Sequence, residues 1–446
     1  MRAQLLKYWE RVRSSFWFLP SLMAAMAVGL SFFTVALDQS VMQKWLHSLD
    51  WVYNGGTEGA SAVLQTIAGS MITIAGVVFS LTLVALSLAS SQFGPRMLRN
   101  FMRDTTNQLV LGTFIATFLY CLLVLRTIRR EEGDVFVPHL SVTLGVLFAL
   151  ASLWVLIYFI HHVSVSIQAD EVIGRVAAEL DETMGRLFPE QMGKDADDVG
   201  DTVARHTDAV PRVVGAMNDG YLQIVDNETL MNFARETDTV LTLVRRPGQY
   251  IVQGMPLLYA APADRVPDDI QQRLQAAFVL GNQRTAAQDV EFAIQQLVEI
   301  ATRALSPGIN DPYTAIACID RLGSVFSRLA QRRFPSAFRH DDAQQLRIVV
   351  TPQTFSELAD NAFNPLRNYG RSSVGVTVRL LESIAVVASV ATRAADRATL
   401  ERHADMIARG AAEAWSEEAD RRAVDVRHHA VKQALARMDS RLATVS

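Results

Sequence analysis

The longest uncharged stretch of the chain runs from Gly59 to Pro95, and it limits the possible folds more than any other feature. A helix over residues 62–93 would be roughly 45 Å long, because an α-helix rises about 1.5 Å per residue. The hydrocarbon core of a bilayer is only about 30 Å thick. The stretch therefore predicts a transmembrane helix that tilts or extends beyond the membrane.

Three further apolar segments are long enough to cross a bilayer, at about residues 16–37, 105–125 and 138–163. Together with the long helix they predict a transmembrane domain of four α-helices over residues 1–165. A cleaved signal peptide is the alternative for the first segment, since residues 34–36 resemble a cleavage site. Its apolar run is longer than that of a typical signal peptide, which favours an uncleaved span.

The positions of Lys and Arg around these segments predict the orientation of the chain. The N-terminal segment is basic, the first loop contains only Lys44, and the second loop contains arginines. We therefore expect the N- and C-termini in the cytoplasm. The third loop also contains arginines and departs from this trend.

The rest of the chain is rich in Arg, Asp and Glu and predicts a cytosolic α+β domain that is mostly helical, with a small β unit. Apolar positions at helical spacing continue the fourth span into a helical stalk over residues 166–188. Short β-type runs between Gly and Pro turns predict a β-rich subdomain over residues 199–265. A helical subdomain follows over residues 266–446, with an amphipathic helix from Gln283 to Leu305 and one short strand at residues 348–350.

Hydroxyl side chains on the second span recur at spacings of three, four or seven and share one helical face, beside Gly69 and Gly76. They are Thr66, Ser70, Thr73, Ser80, Ser87 and Ser91. Small residues of this kind commonly pack helices together. In a homo-oligomer the same face would line a hydrated ion path, so the six residues are pore-lining candidates.

Three arginines, Arg96, Arg99 and Arg103, follow the second span at helical spacing and form a candidate basic collar. Basic residues are usual on the cytoplasmic side of a membrane, where they bind anionic lipid head groups. In an oligomer they would instead form rings that favour anions.

The segment from Ala301 to Ala315 predicts a corner between two helices, because Asp311 is a suitable N-cap and Pro312 suits the first helical position. Turn chemistry does not require every polar residue here. A cytosolic ligand or partner is the alternative, bound by the corner together with a polar patch upstream. The residues involved are Arg284, Gln288, Asp289, Pro307, Gly308, Asn310, Asp311 and Thr314.

Several classes of function are disfavoured by the composition. The net charge of −4 does not favour nucleic acid as a partner. Cys121 and Cys318 are too few for a disulfide framework or a thiol metal site. The adjacent histidine pairs 161–162 and 428–429 lack the spacing of a helical metal pair. We expect no metal, no cofactor and no enzymatic activity, since no catalytic set of residues stands out.

Four motifs resemble a family of bacterial membrane proteins known as domain of unknown function 2254. They read SQFGPRML from Ser91, GYLQIV from Gly220, PGQYIVQGMPLL from Pro247, and RTAAQDVEFAIQQLVEIATRALSPGINDPYTA from Arg284. The resemblance implies an integral membrane protein with a multi-helix N-terminal part and a cytosolic C-terminal part. It implies no catalytic residues.

Two functions fit these features. The first is a homo-oligomeric, channel-like protein of the bacterial inner membrane, in which the second span lines an ion path and the cytosolic domain assembles or gates it. The second is a membrane-anchored sensor or scaffold that does not conduct and whose cytosolic domain binds a ligand or partner. The partners expected are the lipid bilayer, further copies of the chain, and a small ion or a cytosolic ligand.

Overall fold

The computed structural model describes residues 17–39, 55–94, 104–131, 134–188 and 210–445. The chain divides into two compact units, Met1–Glu171 and Val172–Ser446, here called the first and second units. The candidate collar of Arg96, Arg99 and Arg103 lies outside the described residues.

Four helices of the first unit are long and apolar enough to cross a membrane, which confirms the predicted architecture of this part of the chain. They are α1 (Phe18–Gln39), α2 (Thr57–Phe93), α3 (Thr105–Leu125) and α4 (His139–Ser166). The second of them has 37 residues, so it is roughly 55 Å long. Two short antiparallel strands, β1 (Arg129–Glu131) and β2 (Asp134–Phe136), connect α3 to α4.

Helix α3 is the centre of this bundle, because it packs against α1, α2 and α4. Tyr120 is fully buried and contacts Phe148 edge to face, with ring centroids 5.1 Å apart. A small residue at Gly145 lets the helices approach, since a Cβ there would lie 3.1 Å from Leu64 Cδ2 and 3.3 Å from Cys121 Sγ. The hydrophobic core of the first unit is thus built around one face of α3.

A separate helix follows the fourth span. Helix α4 ends at Ser166, and α5 (Ala169–Leu187) begins three residues later. The apolar face predicted for this segment is buried within the second unit, and Thr183 Oγ1 donates a 3.3 Å hydrogen bond to the carbonyl of Ala286. This contact joins the C-terminal half of α5, which belongs to the second unit, to the segment that precedes α8.

Two sheets lie in the described part of the second unit. The larger has the strand order β3-β7-β5-β10-β9 and the smaller the order β6-β4-β8. Their strands are β3 (Arg212–Gly215), β4 (Gly220–Val225), β5 (Val240–Leu243), β6 (Tyr250–Ile251), β7 (Pro256–Ala261), β8 (Phe278–Gly281), β9 (Phe338–His340) and β10 (Leu346–Val350). The last three come from beyond the segment predicted as β-rich, and β10 pairs parallel to β5. The β unit therefore includes strands from distant parts of the sequence.

Helices make up most of the second unit, as predicted. After α5 they are α6 (Asn227–Thr237), α7 (Ile270–Gln275), α8 (Val290–Ala304), α9 (Pro312–Gln331), α10 (Phe355–Gly370), α11 (Val374–Ala388), α12 (Ala394–Ala414) and α13 (Glu418–Val445). The expectation of a helix from Gln283 was wrong, since α8 begins at Val290. Asp289 is its N-cap and accepts a 3.0 Å hydrogen bond from the backbone N–H of Phe292.

Candidate functional site

The six hydroxyl side chains on α2 point away from the helices of their own chain, and all six are exposed. At about 100° per residue they lie on the opposite side of α2 from its buried face. That buried face consists of Leu64, Ala68, Met71, Ala75 and Val78. The hydroxyl stripe therefore has no role in packing the described part of the four-helix bundle.

Backbone carbonyls of α2 accept hydrogen bonds from three of these hydroxyls. Thr66 donates to Ala62 at 2.7 Å, Thr73 to Gly69 at 2.8 Å and Ser91 to Leu88 at 2.9 Å. Such bonds satisfy a hydroxyl proton while leaving its oxygen lone pairs on the helix surface. The stripe thus presents acceptor groups.

Two glycines beside the stripe leave the backbone of α2 uncovered. A Cβ at Gly69 or at Gly76 would find no atom within 4 Å. Small residues in membrane helices allow a neighbouring helix to approach closely. The face that carries the hydroxyls therefore has room for a helix from another chain.

A buried carboxylate at one end of the bundle, that of Asp38, was missed by the sequence analysis, which ended the first apolar segment at about residue 37. Asp38 is only 2% exposed and accepts hydrogen bonds from the backbone N–H groups of Leu140 and Ser141, both at 3.0 Å. Tyr120 extends the network by donating to the carbonyl of Ser141 at 3.1 Å, and its hydroxyl lies 3.0 Å from Thr34 Oγ1. The cluster joins α1, α3 and α4.

A signal for this network was present in the sequence. Helix α4 begins after Pro138, whose side chain offers no acceptor for the N–H groups of the first turn. An acceptor had to come from elsewhere, and Asp38 is the acidic residue that directly follows the first apolar segment.

A histidine and a carboxylate connect the start of α3 to the last turns of α4. Both lie at the end of these two helices that is opposite the Asp38 cluster. His162 Nε2 lies 2.7 Å from Asp104 Oδ2, and Ser166 Oγ lies 3.3 Å from the same ring nitrogen. Asp104 is also the N-cap of α3, accepting from the backbone N–H of Thr106 at 2.9 Å. The histidine thus has a partner within the bundle.

The segment between α8 and α9 has the predicted corner geometry. Asp311 is the N-cap of α9 and accepts from the backbone N–H groups of Tyr313 and Thr314, both at 3.1 Å. Partial burial acts to raise the pKa of Asp311, but the bond from the Thr314 hydroxyl and these two N–H bonds hold it below its usual value. Thr314 adds a 2.5 Å bond from its hydroxyl, and Asn310 adopts a positive φ of 50°. Pro307, Gly308 and Asn310 are exposed.

The upstream polar patch serves a different part of the fold. Arg284 donates to both oxygens of Asp289, with Nε to Oδ2 at 2.8 Å and Nη2 to Oδ1 at 3.1 Å. Gly248, in the turn after β5, packs against this pair with a φ of +95°, and a Cβ there would lie 2.2 Å from Asp289 Oδ2. The pair therefore anchors a turn of the β unit to the start of α8.

Gln288 completes the same junction. Its side-chain amide accepts from the N–H of Val225 at 2.9 Å and donates to the carbonyl of Val225 at 3.2 Å, as a neighbouring strand would. These three patch residues lie at the start of α8, and the corner lies at its end. The helix has 15 residues, so the two groups are roughly 20 Å apart and do not form one site within the chain.

Catalytic chemistry has few candidates among the described residues. No group of three His, Cys, Asp or Glu side chains within them could hold a metal ion. Cys318 is fully buried, and this burial raises the pKa of its thiol, which disfavours the reactive thiolate.

Residues 13–386 match the model of a family described as a predicted membrane protein, domain of unknown function 2254. The chain belongs to this family. The match covers the four apolar helices and most of the second unit, which confirms the resemblance drawn from the four motifs. As a member of a membrane-protein family, the chain contacts a lipid bilayer.

Similar proteins occur in mycobacteria. Uncharacterised proteins of Mycobacterium tuberculosis and Mycobacterium bovis are each 33% identical to the chain over 418 residues, which is 92% of this chain and 79% of the relative. No solved structure matches the chain.

Proposed function

We propose that the protein is a homo-oligomeric channel of the bacterial inner membrane in which α2 of each copy lines the ion path. The observation that carries this proposal is the outward-facing stripe of six hydroxyl side chains on a helix whose opposite face packs the bundle. Hydroxyl oxygens lining a hydrated path interact weakly with ions, which allows ions to leave as well as enter.

Copies of the chain meet beside the stripe, at Gly69 and Gly76, because small residues are the usual contacts between membrane helices. The surface around Gly69 and Gly76 is open enough for such an approach. When the rotation between successive copies divides a full turn, this contact closes into a ring, and a ring places the same face of every copy toward one axis.

The N- and C-termini lie in the cytoplasm according to this proposal. The support is the difference in basic residues between the N-terminal segment and the first loop, which contains only Lys44. Arginines of the second loop would then lie at the cytoplasmic mouth and favour anions, and the second unit would assemble or gate the channel.

Electrical recording of purified full-length protein in planar bilayers tests the proposal. We expect currents above those of empty membranes and at least a several-fold fall in conductance for Ser80→Phe, which introduces a bulky ring into the stripe. Leu81→Phe is the matched control, because Leu81 is exposed on the same helix but lies outside the stripe and away from Gly76. Absence of current from the wild-type protein would reject conduction.

A thiol reagent gives a second measurement that does not depend on bulk. Ser80→Cys places a reactive group on the stripe, whereas the native thiols of Cys121 and Cys318 are buried. We expect a negatively charged methanethiosulfonate, which a path that favours anions admits, to change the current of Ser80→Cys and to leave the wild-type current unchanged.

A further inference from the structure

A cavity of about 200 Å³ lies among three helices of the second unit, α10, α11 and α12. Its apolar wall includes Leu366 of α10, Leu380 of α11 and Ile407 of α12, and Trp415, directly after α12, also lines it. Small-molecule sites in proteins combine a wall of this kind with a few polar groups. The sequence analysis singled out none of the residues that line it.

Positive charge dominates the polar part of the lining, which contains three arginines and one glutamate. Arg371 and Glu413 form an exposed ion pair with an N–O distance of 3.1 Å, and so neutralise each other. Across the described residues no carboxylate pairs with the other two arginines, Arg367 and Arg409. An anion in the cavity would therefore meet two arginines without carboxylate partners, the half-buried Arg367 and the exposed Arg409.

Arg367 also has an unused hydrogen-bond donor. Its Nε atom is buried and has no hydrogen-bond partner among the described residues. Asp360, an acid on the same helix, is bound elsewhere, by Arg402 at 2.7 Å, and lies 2.9 Å from His403 Nε2. Buried donors in folded proteins nearly always have an acceptor. This unpaired N–H agrees with the absence of a carboxylate partner, and the charge of Arg367 is therefore unmatched within the described part of the fold.

The guanidinium groups of the cavity indicate which chemical groups a bound molecule would carry. The planar fork of N–H donors on a guanidinium matches the oxygens of phosphate and carboxylate groups. The cavity is smaller than the range of about 300–1,000 Å³ typical of drug-sized ligands, so its occupant is a small metabolite. The wall of Leu366, Leu380 and Ile407 requires that this metabolite carries an apolar part.

We propose that this cavity binds a small organic anion, a phosphate or carboxylate group on a compact apolar body. Arg367 and Arg409 bind the anionic group, and the apolar wall with Trp415 holds the body. The site lies wholly within the second unit, so it stands whether or not the protein conducts ions.

Calorimetric titration of the full-length protein in detergent tests this with phenyl phosphate, with benzoate and with uncharged benzyl alcohol. We expect at least one of the two anions to bind and benzyl alcohol not to bind. Arg367→Gln and Arg409→Gln should each weaken anion binding tenfold or more. Arg422→Gln is the matched control, because Arg422 is an exposed arginine of α13 paired with Glu418, and it should bind as the wild type does.

A larger side chain that fills the cavity provides a second test, and this change leaves every arginine in place. Gly410 lines the cavity, and a Cβ at this position would find no atom within 4 Å. Gly410→Phe should therefore abolish binding, whereas Gly410→Ala, which adds one methyl group, should retain it. Alanine and phenylalanine both have a higher helix propensity than glycine, so we expect neither change to disrupt α12, and the thermal unfolding temperature checks this.

Three results would overturn the inference. They are the absence of binding by both anions to the wild-type protein, binding of benzyl alcohol as tight as that of the anions, and unchanged anion binding by Gly410→Phe.

Discussion

The carboxylate of Asp38, at the end of α1, accepts a 2.6 Å hydrogen bond from the hydroxyl of Ser141, at the start of α4. Asp38 also accepts from two backbone N–H groups of the first turn of α4. It therefore caps a helix to which it does not belong. The first and fourth helices of the bundle are joined at one end by a polar contact rather than by apolar packing alone.

Removing this carboxylate should destabilise the four-helix bundle. We expect Asp38→Ala to reduce the free energy of unfolding by about 1–3 kcal/mol, because buried donors of Leu140 and Ser141 lose their acceptor. Thermal unfolding of the protein in detergent measures the change. Gln39→Ala is the control, since its side chain is exposed next to Asp38. Equal melting temperatures for the two variants would contradict the capping role.

A methyl group at Gly248 should disturb the junction between the β unit and α8. Gly248 has a φ of +95°, and a Cβ there would also lie 3.0 Å from Arg284 Nη2. We expect Gly248→Ala to cost more than the roughly 1–3 kcal/mol of backbone strain alone, because the Arg284–Asp289 pair must move.

Gly254→Ala separates the cost of backbone strain from the cost of displacing the Arg284–Asp289 pair. Gly254 has a φ of +83° but no atom within 4 Å of a Cβ, so this change adds strain without a steric clash. Urea titration of both variants should place Gly248→Ala clearly below Gly254→Ala in stability. The reverse order would show that the Arg284–Asp289 pair does not constrain the turn.

The stability of the second unit should fall in acid through His403. Burial, and next the charge of Arg402, lower the pKa of this histidine from 6.5 to about 4, although Asp360 opposes the shift. Above pH 6.5 His403 is neutral in both states. Between pH 6.5 and about 4 only the unfolded chain binds the proton, so stability falls by up to about 3 kcal/mol as the pH decreases.

Urea midpoints of unfolding measured across this pH window test the assignment. His403→Leu should flatten the decline because the titrating group is gone. His340→Leu, which removes an exposed histidine on β9, should leave the decline unchanged. A wild-type slope that persists in His403→Leu would assign the acid sensitivity to other groups.

Cysteine cross-linking in membranes should detect the contact between copies of α2. Gly76→Cys places a thiol beside the hydroxyl stripe, and two such thiols form a disulfide when their Cβ atoms come within about 4 Å. We expect oxidation to produce covalent dimers. Ala75→Cys is the matched control, because Ala75 faces the bundle of its own chain and is only 4% exposed. Dimers from Ala75→Cys alone would place the contact on the wrong face.

Sequence patterns predicted the helices of the first unit well, because an uncharged segment of that length has few alternatives to a span. They failed at the start of α8, where apolar residues at helical spacing extend upstream of Val290. Asp289 ends that pattern by capping the helix, and Arg284 and Gln288 then contact the β unit. Periodicity alone does not distinguish these roles.

Long-range partners account for the other differences. The outward orientation of the stripe on α2 depends on which face α3 covers, and the hydrogen bonds of Asp38 depend on where α4 begins. In the sequence, nothing distinguishes Arg367 and Arg409 from the many arginines expected on a protein surface. Only the packing of α10 against α12 places both of them beside one cavity.

The parallel pairing of β5 with β10 has a consequence for synthesis of the chain. Leu241 and Ile348 pair in the sheet, although the ribosome adds the second about one hundred residues after the first. At about 5–20 residues per second, the nascent chain holds β5 without that neighbour for on the order of ten seconds. During this interval that edge of β5 has unpaired N–H and C=O groups, which other chains can pair with.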